Sequence, residues 1–303
     1  GKPAVSPDKN VFGEMNMDQR TAVAIGKFDG LHRGHQALLK KLAEQGERGM
    51  KPLVVVVAVP VSGKLLTESE FQKKLSAFGI SDFIMLPFCE EIRGMEPERF
   101  VREILVGRLH AGYVAVGRDF RYGYKRAGNS RTLALAGERF GFHVDILEKE
   151  TDHGREIGST WIRGELDSGN MEMVNQLLGY PFFVDGTVVS GNRIGRTLGM
   201  PTINLLPGEE KLLPPNGVYM SRTWYRGKSY AGVTNIGVKP TIHQSDPRRG
   251  VETHLLSFEE EIYGEQVCVE LLSHSRIERK FSGLEELKAQ IVSDVSDAKK
   301  FFE

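Results

Sequence analysis

The chain is 303 residues long, with Lys plus Arg and Asp plus Glu both at 40. Such a length suits two domains, and the even charge balance excludes a global attraction to nucleic acid or to an anionic membrane, so a polyanionic ligand must be met by a local site. Cys89 and Cys268 lack metal-knuckle spacing, the apolar run Leu53 to Val61 is interrupted by Pro60, and Gly1-Lys2-Pro3 opens no signal-like core; a cytoplasmic protein with no membrane span, no disulfide framework and no obligate protein partner is expected.

Thr21 to Ile25 reads as a strand, and Gln36 to Gln45 as a helix with Leu38, Leu39 and Leu42 on one face. Leu53 to Val59 predicts a strand buried on both faces, Phe71, Leu75 and Phe78 repeat at helical spacing, and Phe83 to Leu86 returns as a strand. Phe100, Val101, Ile104 and Leu105 mark a further helix, followed by strands at Tyr113 to Val116 and His143 to Leu147. This alternation predicts an α/β, Rossmann-like domain with a parallel sheet covered on both sides. Ligands of such sheets bind beyond the carboxyl ends of the strands.

After Leu178-Gly179-Tyr180-Pro181 the pattern changes. Phe183 to Ser190, Val218 to Thr223, Ser229 to Asn235, Val251 to Ser257 and Gln266 to Ser273 read as strands, with a hairpin connection at Tyr225-Arg226-Gly227-Lys228. Leu284, Leu287, Ile291, Val295, Ala298 and Phe302 form one stripe of a terminal helix. Short strands followed by one helix predict a small antiparallel β-barrel closed by that helix. The expected domains are 1–180 and 181–303.

Four segments carry chemistry. Gly26-Lys27-Phe28-Asp29-Gly30-Leu31-His32-Arg33-Gly34-His35 sets two histidines three apart where a loop turns into a helix. Amides at a helix start are unsatisfied and favour a phosphate, and two imidazoles there suit charge developing at a nucleotide α-phosphate. Arg118, Arg121, Lys125 and Arg126 lie on a glycine-rich loop that ends at Asn129, suited to phosphate or ribose. Ser159, Thr160 and Arg163 pair two hydroxyls with a guanidinium, although Ser159 reads equally as a helix N-cap. Gly195-Arg196-Thr197-Leu198-Gly199-Met200-Pro201-Thr202-Ile203-Asn204 joins a glycine-rich flap to two hard oxygen ligands, Thr202 and Asn204, suited to Mg²⁺.

Together these segments resemble the bacterial bifunctional riboflavin kinase/FMN adenylyltransferases, over nearly the whole chain. The H-x-G-H run is similar to the nucleotidyltransferase signature, and P-T-x-N to that of riboflavin kinases. The resemblance implies ATP phosphate contacts for His32, His35 and Arg163, with Gly26, Phe28, Asp29, Gly30, Asn129, Ser159 and Thr160 around the nucleotide and flavin. It implies a kinase site of Gly195, Arg196, Gly199, Pro201, Thr202 and Asn204, with Glu252 in Val251-Glu252-Thr253-His254 as the catalytic glutamate. The expected activity is phosphorylation of riboflavin to FMN, then adenylyl transfer from ATP to give FAD, with Mg²⁺ as cofactor and ATP as co-substrate. One stretch departs from the family pattern: Val57-Ala58-Val59-Pro60-Val61-Ser62 lacks the histidine and phenylalanine usual after the second strand, and Lys27 and Ser257 also replace more usual residues. This departure motivates an alternative, a monofunctional riboflavin kinase with a degenerate adenylyltransferase domain; a flavin-binding regulator that turns over neither substrate is the third reading.

Overall fold

A computed structural model of the chain describes residues 19–58, 62–87, 89–191, 200–239 and 248–303. The chain divides into two compact units, Gly1–Ser62 with Phe71–Gly158, and Gly63–Glu70 with Ser159–Glu303.

The first unit is built on β1 (Thr21–Gly26), α1 (Arg33–Glu47), β2 (Lys51–Ala58), α2 (Glu68–Ala77, which begins in the second unit), β3 (Phe83–Pro87), β4 (Ala111–Gly117), α3 (Ser130–Phe140) and β5 (His143–Leu147). The five strands pair in the order β3-β2-β1-β4-β5, all parallel. Val23, Ile25, Leu53, Val55, Val114 and Val116 project from one face into a cluster with Val101, Ile104 and Leu105. Those last three lie on a helical run in which Val101–Arg108 is wound as a π-helix, a wider coil than the expected α-helix. Helix α1 buries Leu38, Leu39 and Leu42. Truncating such a leucine to alanine costs about 2–5 kcal/mol.

Two local differences from the sequence reading bear on function. Helix α1 starts at Arg33 rather than Gln36, because His32 has the extended backbone of an N-cap (φ −64°, ψ 170°) and the amides of His35 and Gln36 both donate to its carbonyl. Gly34 and His35 are therefore first-turn residues. Helix α3 has no counterpart in the apolar periodicity read above; it is started by Asn129, whose side chain accepts from the amides of Arg131 and Thr132 while Thr132 caps back.

The second unit holds α4 (Ser159–Ser168), α5 (Met171–Leu178), β6 (Phe182–Thr187), β7 (Thr202–Leu205), β8 (Gly217–Tyr225), β9 (Lys228–Lys239), β10 (Arg248–Leu255), β11 (Gln266–Ile277) and α6 (Leu284–Phe302). The strands form one sheet in the order β6-β11-β8-β9-β10-β7, antiparallel throughout. Its two edges meet at the Val189–Asn204 pair, where the Val189 amide donates to the Asn204 carbonyl at 2.9 Å. That bond curls the sheet into a half-barrel. One face carries Tyr219, Ile236 and Val251 with the fully buried hydroxyls of Ser221, Thr234 and Thr253, which bond one another at 2.8 Å. On the other face Val218, Met220 and Val233 pack against Val295 and Ala298 of α6.

The helices α4 and α5, placed before the boundary at 180/181 on the sequence, pack with this sheet. Asn175 explains why: its amide donates to the Leu271 carbonyl and its carbonyl oxygen accepts from the Phe182 amide, at 2.9 and 2.7 Å. Val174, Leu177 and Leu178 are fully buried on the same element.

Candidate active sites

In the first unit the stretch from Gly26 to His35 leaves the carboxyl end of β1 and turns sharply. Phe28 and Leu31 are buried (1% and 0% exposed) and take left-handed backbone conformations, φ 49° and 42°, with Gly30 at 81° between them. Non-glycine residues held there cost about 1–3 kcal/mol each and collect at functional sites. The gain here is position. Phe28 packs its ring 5.0 Å from His35, and His35 stacks on His32 at 3.7 Å between ring centroids.

Both imidazoles are buried enough to be neutral at pH 7. Burial pushes His32 down to about 4, and burial together with the neighbouring His32 holds His35 well below the usual histidine range. Their Nδ1 atoms are buried with no hydrogen-bond partner among the described residues. Unpartnered buried nitrogens are costly, and here they sit at the N-terminus of α1, where helix amides favour an anion. Gly34 keeps the first turn open: a Cβ there would come within 3.2 Å of His32 Cε1. The cation between the histidines is spent locally, since Arg33 donates to Asp152 at 2.7 Å and Glu150 at 2.8 Å.

The arginine-rich loop divides. Arg118 pairs with Glu148, whereas Arg121, Lys125 and Arg126 are exposed, the last two at φ 50° and 59°. Asn129 is held as the cap of α3 through its carbonyl oxygen. Val59, Pro60 and Val61, the middle of the departing segment, lie outside the described residues.

In the second unit Ser159 and Thr160 open α4, and Arg163 Nη2 donates to the Gly63 carbonyl at 2.9 Å. The kinase-type residues converge on the sheet. Thr202 and Asn204 lie two apart on β7, and Asn204 stands directly across from Glu252 on β10. Glu252 is flanked on its other side by Asn235 of β9. The Thr202 hydroxyl donates to Glu252 Oε1 at 2.9 Å. Next to it His254 Nδ1 donates to the Pro201 carbonyl at 3.0 Å, which orients the residue before Thr202. Gly191 lies against this row, where an added Cβ would displace the Asn204 side chain. A solvent-open cleft lies over Thr202 and Asn204, with Phe258, Glu260 and Tyr263 on its wall. Strand β10 stops at Leu255, and Ser257 beyond it takes φ 56°. Gly195, Arg196 and Gly199 lie outside the described residues.

Sequence reasoning did not anticipate Arg33 with Asp152, His254 on Pro201, or the Gly63 carbonyl on Arg163. The first two had a local trace, in the second position of H-x-G-H and in the face that His254 shares with Glu252. The third had none.

Family models for FAD synthetase and for riboflavin kinase match residues 14–161 and 178–302. The bifunctional riboflavin kinase/FMN adenylyltransferase of Escherichia coli is 35% identical over 92% of this chain and 92% of its own length. That of Listeria monocytogenes is 35% identical over 94% and 93%. This chain belongs to the bifunctional riboflavin kinase/FMN adenylyltransferase family. A solved structure described as a macrolide-efflux protein from Streptococcus pneumoniae shares the fold, with a TM-score of 0.82 at 25% identity over 95% of this chain and 96% of that one. Among the described residues no helix is long and apolar enough to cross a membrane. Within the family match, the FAD synthetase model takes in His32, His35, Asn129, Ser159 and Thr160, and the riboflavin kinase model takes in Thr202, Asn204 and Glu252. Arg163 falls between the two matched ranges.

Proposed function

We propose that the chain runs two successive reactions at two separate sites: phosphorylation of riboflavin to FMN in the second unit, and adenylyl transfer from ATP to FMN at the His32–His35 turn, giving FAD and pyrophosphate. The observation that carries this reading is the pairing, on one chain matched by both family models, of stacked imidazoles at a helix start with a Thr–Asn–Glu row on an antiparallel sheet.

For the kinase step, Thr202 and Asn204 offer neutral hard oxygens, and no cluster of three or more acidic, histidine or cysteine side chains among the described residues would compete for a cation. That donor set fits Mg²⁺, which keeps waters and substrate phosphates as most of its ligands. When bound it would offset charge on the transferring phosphoryl group. Glu252 takes the proton of the riboflavin 5′-hydroxyl as that oxygen bonds to the γ-phosphorus and the bond to ADP breaks. Its bond from Thr202 keeps the carboxylate aimed along the row, so positioning contributes as much as basicity. His254, through Pro201, holds the start of β7 in place.

For the adenylyl step, an FMN phosphate oxygen attacks the α-phosphorus of ATP and pyrophosphate leaves, so no protein nucleophile is needed. His32 and His35, neutral before ATP arrives, present ring N–H donors, and the amides of α1 add their partial charges. Gly26, Phe28, Asp29 and Gly30 shape the turn, and Asn129 caps the helix that follows the basic loop. Glu252→Gln tests the division of labour. FMN formation should fall about 10²- to 10⁴-fold with riboflavin binding kept, while FAD formation from supplied FMN continues. A variant with near-normal riboflavin turnover would remove Glu252 from the chemistry.

A further inference from the structure

Arg33, which stands between the two stacked histidines in sequence, is tied to a separate piece of the first unit. Its Nη1 donates to Asp152 Oδ2 at 2.7 Å and its Nη2 to Glu150 Oε1 at 2.8 Å. The Asp152 side chain is 8% exposed and sits on a short hairpin in which Thr151–Asp152 pairs with Arg155–Glu156. The hairpin turns through His153 and Gly154, both at positive φ (46° and 81°), the backbone of a primed two-residue turn. At its foot the Ile157 amide donates to the Glu150 carbonyl at 2.9 Å, and Lys149 Nζ binds Glu156 at 2.8 Å and Asp119 at 3.0 Å. The hairpin therefore has bonds of its own, apart from Arg33. It also lies against the start of α1. A Cβ on Gly34 would stand 3.9 Å from Glu150 Cβ and 3.2 Å from His32 Cε1, so Gly34 is the thin layer between Glu150 and the His32 ring.

We propose that Glu150 and Asp152 are positioning residues for adenylyl transfer: by gripping Arg33 they fix the first turn of α1, and with it the stacked rings of His32 and His35. The proposal rests on the reading of those histidines as the groups that meet the ATP phosphates. The His32 carbonyl accepts from the His35 and Gln36 amides at 2.7 and 3.1 Å, so the torsions of Arg33 and Gly34 set how the two rings meet. Gly34 brings no side chain to that turn, and the His32 ring makes no cap bond to it. Arg33 supplies a hold that neither neighbour does. A planar guanidinium bridging two carboxylates is fixed in direction as well as in distance. One cation between two carboxylates leaves an excess of negative charge, which offers a phosphate no attraction; the group acts through the turn it holds.

The test uses the full chain and measures FMN formation from riboflavin and FAD formation from supplied FMN, each with ATP and Mg²⁺. Glu150→Gln with Asp152→Asn removes the grip and leaves the Arg33 cation in place, and Arg33→Met removes the grip from the other side. Each variant should lower kcat for FAD formation roughly tenfold to a hundredfold, the cost of a small misplacement of reacting groups. KM for ATP and the rate of FMN formation should stay within about twofold, and hydrogen exchange of β1 peptides should match wild type. All three substitutions together should be no worse than Arg33→Met alone, since both changes act through one turn. Five results would overturn the proposal. If either variant makes FAD like wild type, the grip is not needed. If Glu150→Gln with Asp152→Asn lowers KM for ATP, the released Arg33 is itself a phosphate ligand and not a tether. If β1 exchange accelerates as activity is lost, or FMN formation falls in proportion, the grip is only structural. If the combined loss is the product of the separate ones, the carboxylates act elsewhere. If His32→Ala with His35→Ala makes FAD like wild type, the reading of the histidines fails and takes the proposal with it, whereas impaired histidine variants beside an intact Arg33→Met overturn the proposal alone.

Discussion

His32→Gln should flatten the acid sensitivity of the first unit. The His32 ring is 5% exposed and its pKa drops from 6.5 to about 4 because burial disfavours the imidazolium. Between those values the unfolded chain binds a proton that the folded chain does not, so stability is lost as pH falls from 6.5 towards 4. For these two values the loss is about 2 kcal/mol between pH 7 and pH 5, and about 3 kcal/mol once the pH is below both. Glutamine keeps an amide near the ring nitrogen and cannot titrate in this range, so the variant should lose about 2 kcal/mol less than wild type between pH 7 and pH 5. Carboxylate contributions are common to both proteins and cancel in the comparison. Hydrogen exchange of β1 peptides at the two pH values reads the first unit directly, while Trp161 and Trp224, both in the second unit, supply a fluorescence control that should not differ. If the variant loses as much β1 stability on acidification as wild type, the ring is not held neutral and the electrostatic picture of the site is wrong.

ATP binding should take up protons, because anionic phosphates beside two neutral imidazoles favour their charged forms. Calorimetry near pH 7 in two buffers of different ionisation enthalpy should show more uptake for wild type than for His32→Gln with His35→Gln, and equal uptake would contradict the placement of phosphates there. Lys211→Met alone should destabilise the second unit by about 3–5 kcal/mol by leaving Glu70 charged and buried without its partner at 2.7 Å, and adding Glu70→Gln should restore part of that. Urea unfolding followed by tryptophan fluorescence checks both steps, and a harmless single substitution would mean that the pair is not formed.

The H-x-G-H turn was legible because its determinants are local: a β-branched strand, glycines able to take positive φ, and a leucine stripe that follows. The parallel sheet and the antiparallel half-barrel were legible for the same reason, since period two and period 3.6 separate cleanly in the two halves. Helix α3 was missed although Asn129 and Thr132 spell a capping signal, because Leu133 is its one fully buried leucine and Leu135 is exposed. Strand β7 is four residues long and reads as part of a glycine-rich flap until its register with β10 puts Asn204 beside Glu252. Of the two helices over residues 159–178 the sequence reading holds one trace, the N-cap candidate Ser159, and the core that receives them is chosen by Asn175 bonding to Leu271 and Phe182. Contacts such as Glu70 with Lys211 leave no periodic trace, and the depressed histidine pKa values follow from burial that only the folded chain defines.

Chromatography of the flavins formed from riboflavin, ATP and Mg²⁺ tests most directly whether one chain carries two separable chemistries. Wild type should pass through FMN to FAD, and His32→Ala with His35→Ala should accumulate FMN and stop there, the loss of preorganised donors costing about 10²–10³ in rate per group. If the folded double variant loses both products, or if wild type given FMN and ATP at saturation makes no FAD, the assignment of the two reactions to these two sites is contradicted.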